Sequence, residues 1–133
     1  MLFASMSVSA KTPEWIRADW DDDLGWAVYV STDIQGSSSR YGTTKVWTKW
    51  LFHTQKARQE FNTKASKTME LYEYKDNFRQ YRIAKSIEYD KNGDIIHESQ
   101  FPSWWEYIVP ESLGELISST VQNILLKNNR CSQ

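Results

Sequence analysis

Apolar and polar positions alternate along most of the chain from Trp15 to Ser99, and a longer period takes over after Pro110. Alternation with period two marks a strand, because successive side chains leave it on opposite faces. Residues 15–20 read as a first short strand, and Asp21-Asp22-Asp23 as the turn that follows. Residues 24–32 then place Trp26, Val28 and Val30 on one face and Ala27 and Tyr29 on the other. Gln35-Gly36-Ser37-Ser38-Ser39 is turn material, since Gly and Ser favour irregular backbone. Residues 45–54 carry Val46, Trp47, Trp50, Leu51 and Phe52 on both faces and read as a central strand. The polar stretch 55–67, with Phe61 alone in its middle, reads as a long surface loop with room for one short helical turn.

Residues 68–75 alternate more weakly. Past an Asp76-Asn77 turn, Tyr81, Ile83, Ile87 and Tyr89 share one face against Arg82, Ala84, Ser86 and Glu88, with Lys85 as the only charge on the apolar side. Asp90-Lys91-Asn92-Gly93 contains Asn-Gly, which takes the positive φ angles of a hairpin turn, and residues 94–99 return as the last strand. Pro102-Ser103-Trp104-Trp105 breaks the alternation. Ser112 with Glu115 three residues on has the form of a capping box, each side chain accepting from the other's free backbone N–H. From there Leu113, Leu116, Ile117, Thr120, Val121, Ile124 and Leu125 form one stripe at helical spacing, while Ser118, Ser119, Gln122 and Asn123 face away.

Such a stripe must be buried, and a sheet face is the available partner. An acid at Leu116 is then expected to destabilise the fold severely. Asn128-Asn129-Arg130 is expected to end the helix, leaving residues 128–133 as a flexible tail. The expected fold is α+β: an antiparallel sheet of about six strands with one C-terminal amphipathic helix packed on one face, a single domain over residues 11–127.

Composition narrows the function classes. The chain of 133 residues is 40% hydrophobic, enough for one core. Sixteen Lys and Arg stand against seventeen Asp and Glu, so the strongly basic balance expected of a nucleic-acid binder is absent. The uncharged segment Met1–Ala10 ends in Ser-Val-Ser-Ala, which suits signal-peptidase cleavage before Lys11, although it lacks a basic n-region. It reads as a signal-peptide remnant whose native start lies upstream of Met1; an apolar N-terminal strand is the alternative. No other apolar stretch has the length of a membrane span.

Catalytic and metal-binding patterns are missing from the sequence. His53 and His97 have no partner at ligand spacing, and the single Cys131 offers neither a disulfide nor a held nucleophile. The acidic turns Asp21-x-Asp23 and Asp90-x-Asn92-x-Asp94 begin like calcium loops. The first lacks the later oxygens, and the second has Ile95 and Phe101 where Gly and a bidentate Glu are needed. No catalytic residue, metal or cofactor is assigned. The aromatics are the remaining candidates. Trp47, Trp50, Trp104 and Trp105 either fill the core or form a binding platform, and adjacent Trp104 and Trp105 in a loop cannot both point inward. Trp104 and Trp105, with Lys45 and Lys49 at the rim, are the candidate binding residues.

The runs Val46-Trp47-Thr48-Lys49-Trp50, Tyr72-Glu73-Tyr74-Lys75-Asp76, Tyr89-Asp90-Lys91-Asn92-Gly93 and Pro110-Glu111-Ser112-Leu113-Gly114-Glu115 occur in an order that resembles the bacterial surface-adhesin protein E-like family, small exported proteins of Gram-negative bacteria. The resemblance implies an antiparallel sheet crossed by a C-terminal helix, an envelope or surface location, and binding of host matrix or serum proteins. Family members often carry two cysteines that pin helix to sheet; Asn77 and about Gln122 stand there in this chain, so helix docking is expected to rest on apolar burial. The expected role is a non-enzymatic exported binding protein of the periplasm or outer surface with a protein partner, no nucleic acid and no membrane span, and with a homodimer left open. A periplasmic inhibitor or immunity protein is the alternative.

Overall fold

A computed structural model of the chain describes residues 12–36 and 42–131. The expected signal-peptide remnant at residues 1–10, Ser37–Ser39 of the expected turn and the Cys131 side chain lie outside the described residues. The backbone forms one antiparallel sheet, curled into a half-barrel, and a long C-terminal helix. The strands are β1 (Trp15–Asp21), β2 (Trp26–Ser31), β3 (Gln35–Gly36), β4 (Thr44–Phe52), β5 (Lys67–Lys75), β6 (Gln80–Tyr89), β7 (Ile95–Ser99) and β8 (Glu106–Tyr107), with helices α1 (Gln55–Glu60) and α2 (Leu113–Cys131). Their order across the sheet is β1-β2-β4-β5-β6-β7, with β3 added to β4 and β8 to β6. The six long strands are the six that alternation predicts. The two-residue β3 and β8 are too short to show a period.

Register separates the sheet into a core face and an open face. Val28 lies opposite Trp50 and Val30 opposite Thr48, and Tyr72 lies opposite Val46, so these side chains share one face. Val28, Val30, Val46, Trp50, Phe52, Tyr72 and Tyr74 are buried there in one cluster with Ile117, Val121 and Ile124 of α2. At about 1.5–3 kcal/mol for each large aliphatic side chain fully buried, the three α2 residues alone supply several kcal/mol without any covalent pin.

The structure corrects the helix stripe. Leu116 is 41% exposed, whereas Ser118, expected to face away, is only 3% exposed. The buried line runs through Ile117, Val121 and Ile124, with Leu113 and Leu125 packed beside it, so the helix is rolled toward Ser118. A small residue lets that side sit close, and Gln122 Nε2 donates to the Ser118 carbonyl and hydroxyl. The helix also continues past Asn128 to Cys131. Its start is a modified capping box. Ser112 Oγ accepts from the Glu115 N–H as expected, but Glu115 Oε1 accepts from Glu111 rather than from Ser112.

Three local expectations change for identifiable reasons. Residues 55–60 are helical because Thr54 Oγ1 caps the Ala57 N–H, and Phe61, expected alone in a loop, packs on Trp26, Trp50 and Phe52. In β6 a bulge at Ala84 breaks the expected single apolar face. Tyr81 pairs with Tyr74 and Ile83 with Tyr72 on the core face, but Lys85 and Ile87 pair with Leu71 and Met69 on the other. In the β6–β7 hairpin only Gly93 takes positive φ; the Asp90 carboxylate accepts from the Asn92 and Asp94 N–H groups and closes the turn.

Two substitutions test this packing. Ile117→Asp is expected to lose more than about 3 kcal/mol, because it buries an unpaired carboxylate, while Leu116→Asp loses under about 1 kcal/mol. Urea denaturation of both variants separates them, and equal losses would mean that the helix is not rolled as described. Gly25 has φ +88 and a Cβ there would stand 2.7 Å from Thr54 Cγ2, so Gly25→Ala should cost about 2 kcal/mol in the same assay.

Candidate functional site on the open sheet face

The face opposite the core carries residues of the other parity. Arg17 lies opposite Tyr29 and Tyr29 opposite Lys49, while Lys45, Trp47, Lys49 and Leu51 lie opposite Glu73, Leu71, Met69 and Lys67. Continuing across β6 brings Arg82, Lys85, Ile87 and Tyr89 to the same side. Cations from four strands thus meet on this face: Arg17, Lys45, Lys49, Lys67, Lys75, Arg82 and Lys85. The carboxylates that share it by register are Glu73 and Glu98, and both are already paired, Glu73 with Arg82 at 2.7 Å and Glu98 with Lys85 at 4.0 Å.

Aromatic rings lie among these cations and are covered by them. Lys49 Nζ stands 4.4 Å from the centre of Trp15 and 5.3 Å from that of Tyr29. Lys67 lies over Tyr89, Arg17 over Trp20, and Lys75 and Arg82 both over Trp105. Long cationic stems laid on rings keep their heads in water while covering apolar surface, and the ring quadrupole attracts the charge. Between the cations runs a half-buried apolar strip of Leu51, Met69, Leu71, Ile87 and Trp47.

The electrostatics record the crowding. Partial burial, and next the neighbouring Lys67 ammonium, lower the pKa of Lys49. Burial alone would raise that of Glu73, but hydrogen bonds from Arg82 and Thr43 and the charges of Arg82 and Lys45 reverse the sign and hold it below the usual carboxylate value. A like-charged face with its few acids already engaged is suited to an external anion.

The four residues singled out in the sequence separate as follows. Lys45 and Lys49 sit on this face two turns of the pleat apart, and Trp105 reaches the same side through Lys75 and Arg82. Trp104 is 90% exposed and packs on no ring. Phe101, Tyr107 and Val109 of the same segment are exposed too, as are Ile95 and Ile96 of the edge strand β7. Of the two uses considered for the four tryptophans, Trp50 takes the core, buried on the core face, while Trp47 lies on the other face. Arg17, Lys67, Lys75 and Arg82 were the residues missed. Arg17, Lys67 and Lys75 share the odd numbering of Lys45 and Lys49, whereas Arg82 is even and reaches the face through the register of β6 ahead of its bulge, which alternation alone does not show.

The core face holds a second polar feature. Glu70, opposite Ser86, lines a cavity of about 380 Å³ with Trp50, Phe61, Thr63, Thr68 and Glu88. Burial raises the Glu70 pKa to about 7, with the Glu88 charge adding to the rise; Tyr72 and Trp50 act against it. The Trp50 indole N–H lies near enough to favour the Glu70 anion yet has no hydrogen-bond partner. Among the described residues no group of three His, Cys, Asp or Glu side chains is placed to hold a metal, and no helix is long and apolar enough to cross a membrane.

No family model, no curated protein and no solved structure matches the chain. The resemblance to the surface-adhesin protein E-like family therefore stands on the short motifs alone.

The Glu70 shift predicts a pH dependence of stability. Because its pKa is higher folded than the ordinary 4.5, the native state holds the proton more tightly, and stability falls as pH rises from about 4.5 to about 7 and then levels. The loss should be roughly 2 to 3 kcal/mol. Glu70→Gln should remove this component, so that the difference between variant and wild type in urea denaturation grows across that window; a constant difference would refute the shift.

Proposed function

We propose that the protein is a non-enzymatic binding protein whose open sheet face takes a protein partner carrying acidic side chains around an apolar ridge. The segregation of charge carries this reading: a chain of formal net charge -1 gathers Arg17, Lys45, Lys49, Lys67, Lys75, Arg82 and Lys85 on one sheet face. The apolar strip between the cations supports a protein rather than a purely ionic ligand, because interfaces combine an apolar centre with a polar rim. Nucleic acid is disfavoured, since the rings that would stack on bases are already covered by the protein's own cations. Exposed Trp104, next in the chain to Trp105 under Lys75 and Arg82, supplies an anchor of the kind that dominates binding energy. Display in the periplasm or on the outer surface belongs to the same proposal and is supported by the apolar segment Met1–Ala10 and by the adhesin-like motifs.

Affinity capture from envelope extract and from serum provides the test, with the full chain immobilised beside a variant carrying both Lys49→Glu and Lys67→Glu. The wild type is expected to retain discrete proteins that elute as salt is raised, and the variant to bind them at least about tenfold more weakly. Equal retention by the two proteins, or none by the wild type, would sink the reading.

A further inference from the structure

The cavity beside Glu70 lies on the core face and is independent of the open-face reading. β5 and β6 bring two carboxylates together there, Glu70 opposite Ser86 and Glu88 opposite Thr68. Aromatic rings form its walls: Phe61 packs 5.7 Å from Trp50 and 5.2 Å from Phe52, centre to centre. Neither carboxylate has a cationic partner among the described residues, since the two ion pairs both lie on the other face.

The neighbouring polar groups do not supply one. Thr63 Oγ1 donates to Glu88 at 3.0 Å, and the Tyr72 hydroxyl reaches Glu70 at 3.4 Å. Arg58 on α1 donates to the Phe52 carbonyl, and His97 on β7 stands exposed across from Glu88. A second observation points to an occupant. Trp50 is 8% exposed, lines this same cavity, and keeps its indole N–H without a hydrogen-bond partner.

Two carboxylates in a cavity walled by aromatic rings, Glu70 the one desolvated by burial, are the chemistry that recognises an organic cation, because the acids balance its charge while the rings attract it through their quadrupoles. A metal ion is served less well, since no group of three His, Cys, Asp or Glu side chains gathers among the described residues to hold one. We propose that this cavity binds a small organic ammonium ion, seated between the Glu70 and Glu88 carboxylates and the rings of Trp50 and Phe61. An oxygen on the same ligand would accept from the Trp50 N–H. Cation binding requires the Glu70 anion, so affinity should increase as pH rises through about 7.

Choline and its neutral carbon isostere, dimethylbutanol, make the test. Each is titrated into the full chain at about pH 8 and about pH 5.5, on either side of the Glu70 titration, with calorimetry and the indole N–H signals in nitrogen-15 NMR as readouts. At the higher pH, choline should bind at least about tenfold more tightly than the isostere and shift the Trp50 signal. It should weaken at the lower pH and fall to the level of the isostere in Glu70→Gln. Equal affinity of the two probes, binding undiminished in Glu70→Gln, or no choline binding at all overturns the proposal, and none of these outcomes bears on the open face.

Discussion

Burial of Ile117, Val121 and Ile124 in one cluster with Val28, Val30 and Val46 is the interaction on which the rest of the molecule depends. A sheet of alternating residues has two faces, and a single helix can contribute to the core of only one. With those side chains buried together with the residues of one parity, the residues of the other parity meet water on the open face. Its composition follows from that division: cations lie on aromatic rings, and an apolar strip is shielded by long stems. The same division confines the unpaired acids Glu70 and Glu88 to the core face and the paired acids Glu73 and Glu98 to the open one.

Much of this architecture was legible from period alone. The strands read from alternation are present because β4 can bury Val46, Thr48, Trp50 and Phe52 only by exposing Lys45, Trp47, Lys49 and Leu51 to the other side. What escaped was anything decided by fractions of a turn or single residues. Leu116 and Ser118 are both compatible with a helical stripe, and hydropathy favours the leucine. Close approach favoured the serine, which carries no bulk and offers its oxygen to Gln122. The short α1 was hidden because its stabilisation is a threonine cap and one alanine, with no apolar stripe of its own.

The candidate site was legible in part for a related reason. Lys45 and Lys49 stood out as charges on a strand otherwise apolar, and they do share the basic face. Counting charge over the whole chain, however, averages the two faces of the sheet and conceals their difference. Net charge sums both faces, whereas a partner docking on one face responds to the charges within a screening length of it. Trp50 and Trp105 illustrate the same limit for aromatics. Alternation left Trp50 open between core and platform and it lies in the core, while Trp105, next to exposed Trp104, lies under Lys75 and Arg82.

The bulge at Ala84 works as a parity switch. Before it, β6 sends Tyr81 and Ile83 to the core; after it, Ile87 faces the opposite way with Lys85. Straightening the strand with Ala84 retained would turn Lys85 and Ile87 inward and Ser86 and Glu88 outward, whereas loss of Ala84 would leave Lys85 opposite Leu71 and Ile87 opposite Met69, as they are now. Apart from Ala84 itself, a change in the strand's length has to be absorbed by another bulge, so insertions and deletions should accumulate in the hairpin beyond Tyr89, where no face has to be preserved.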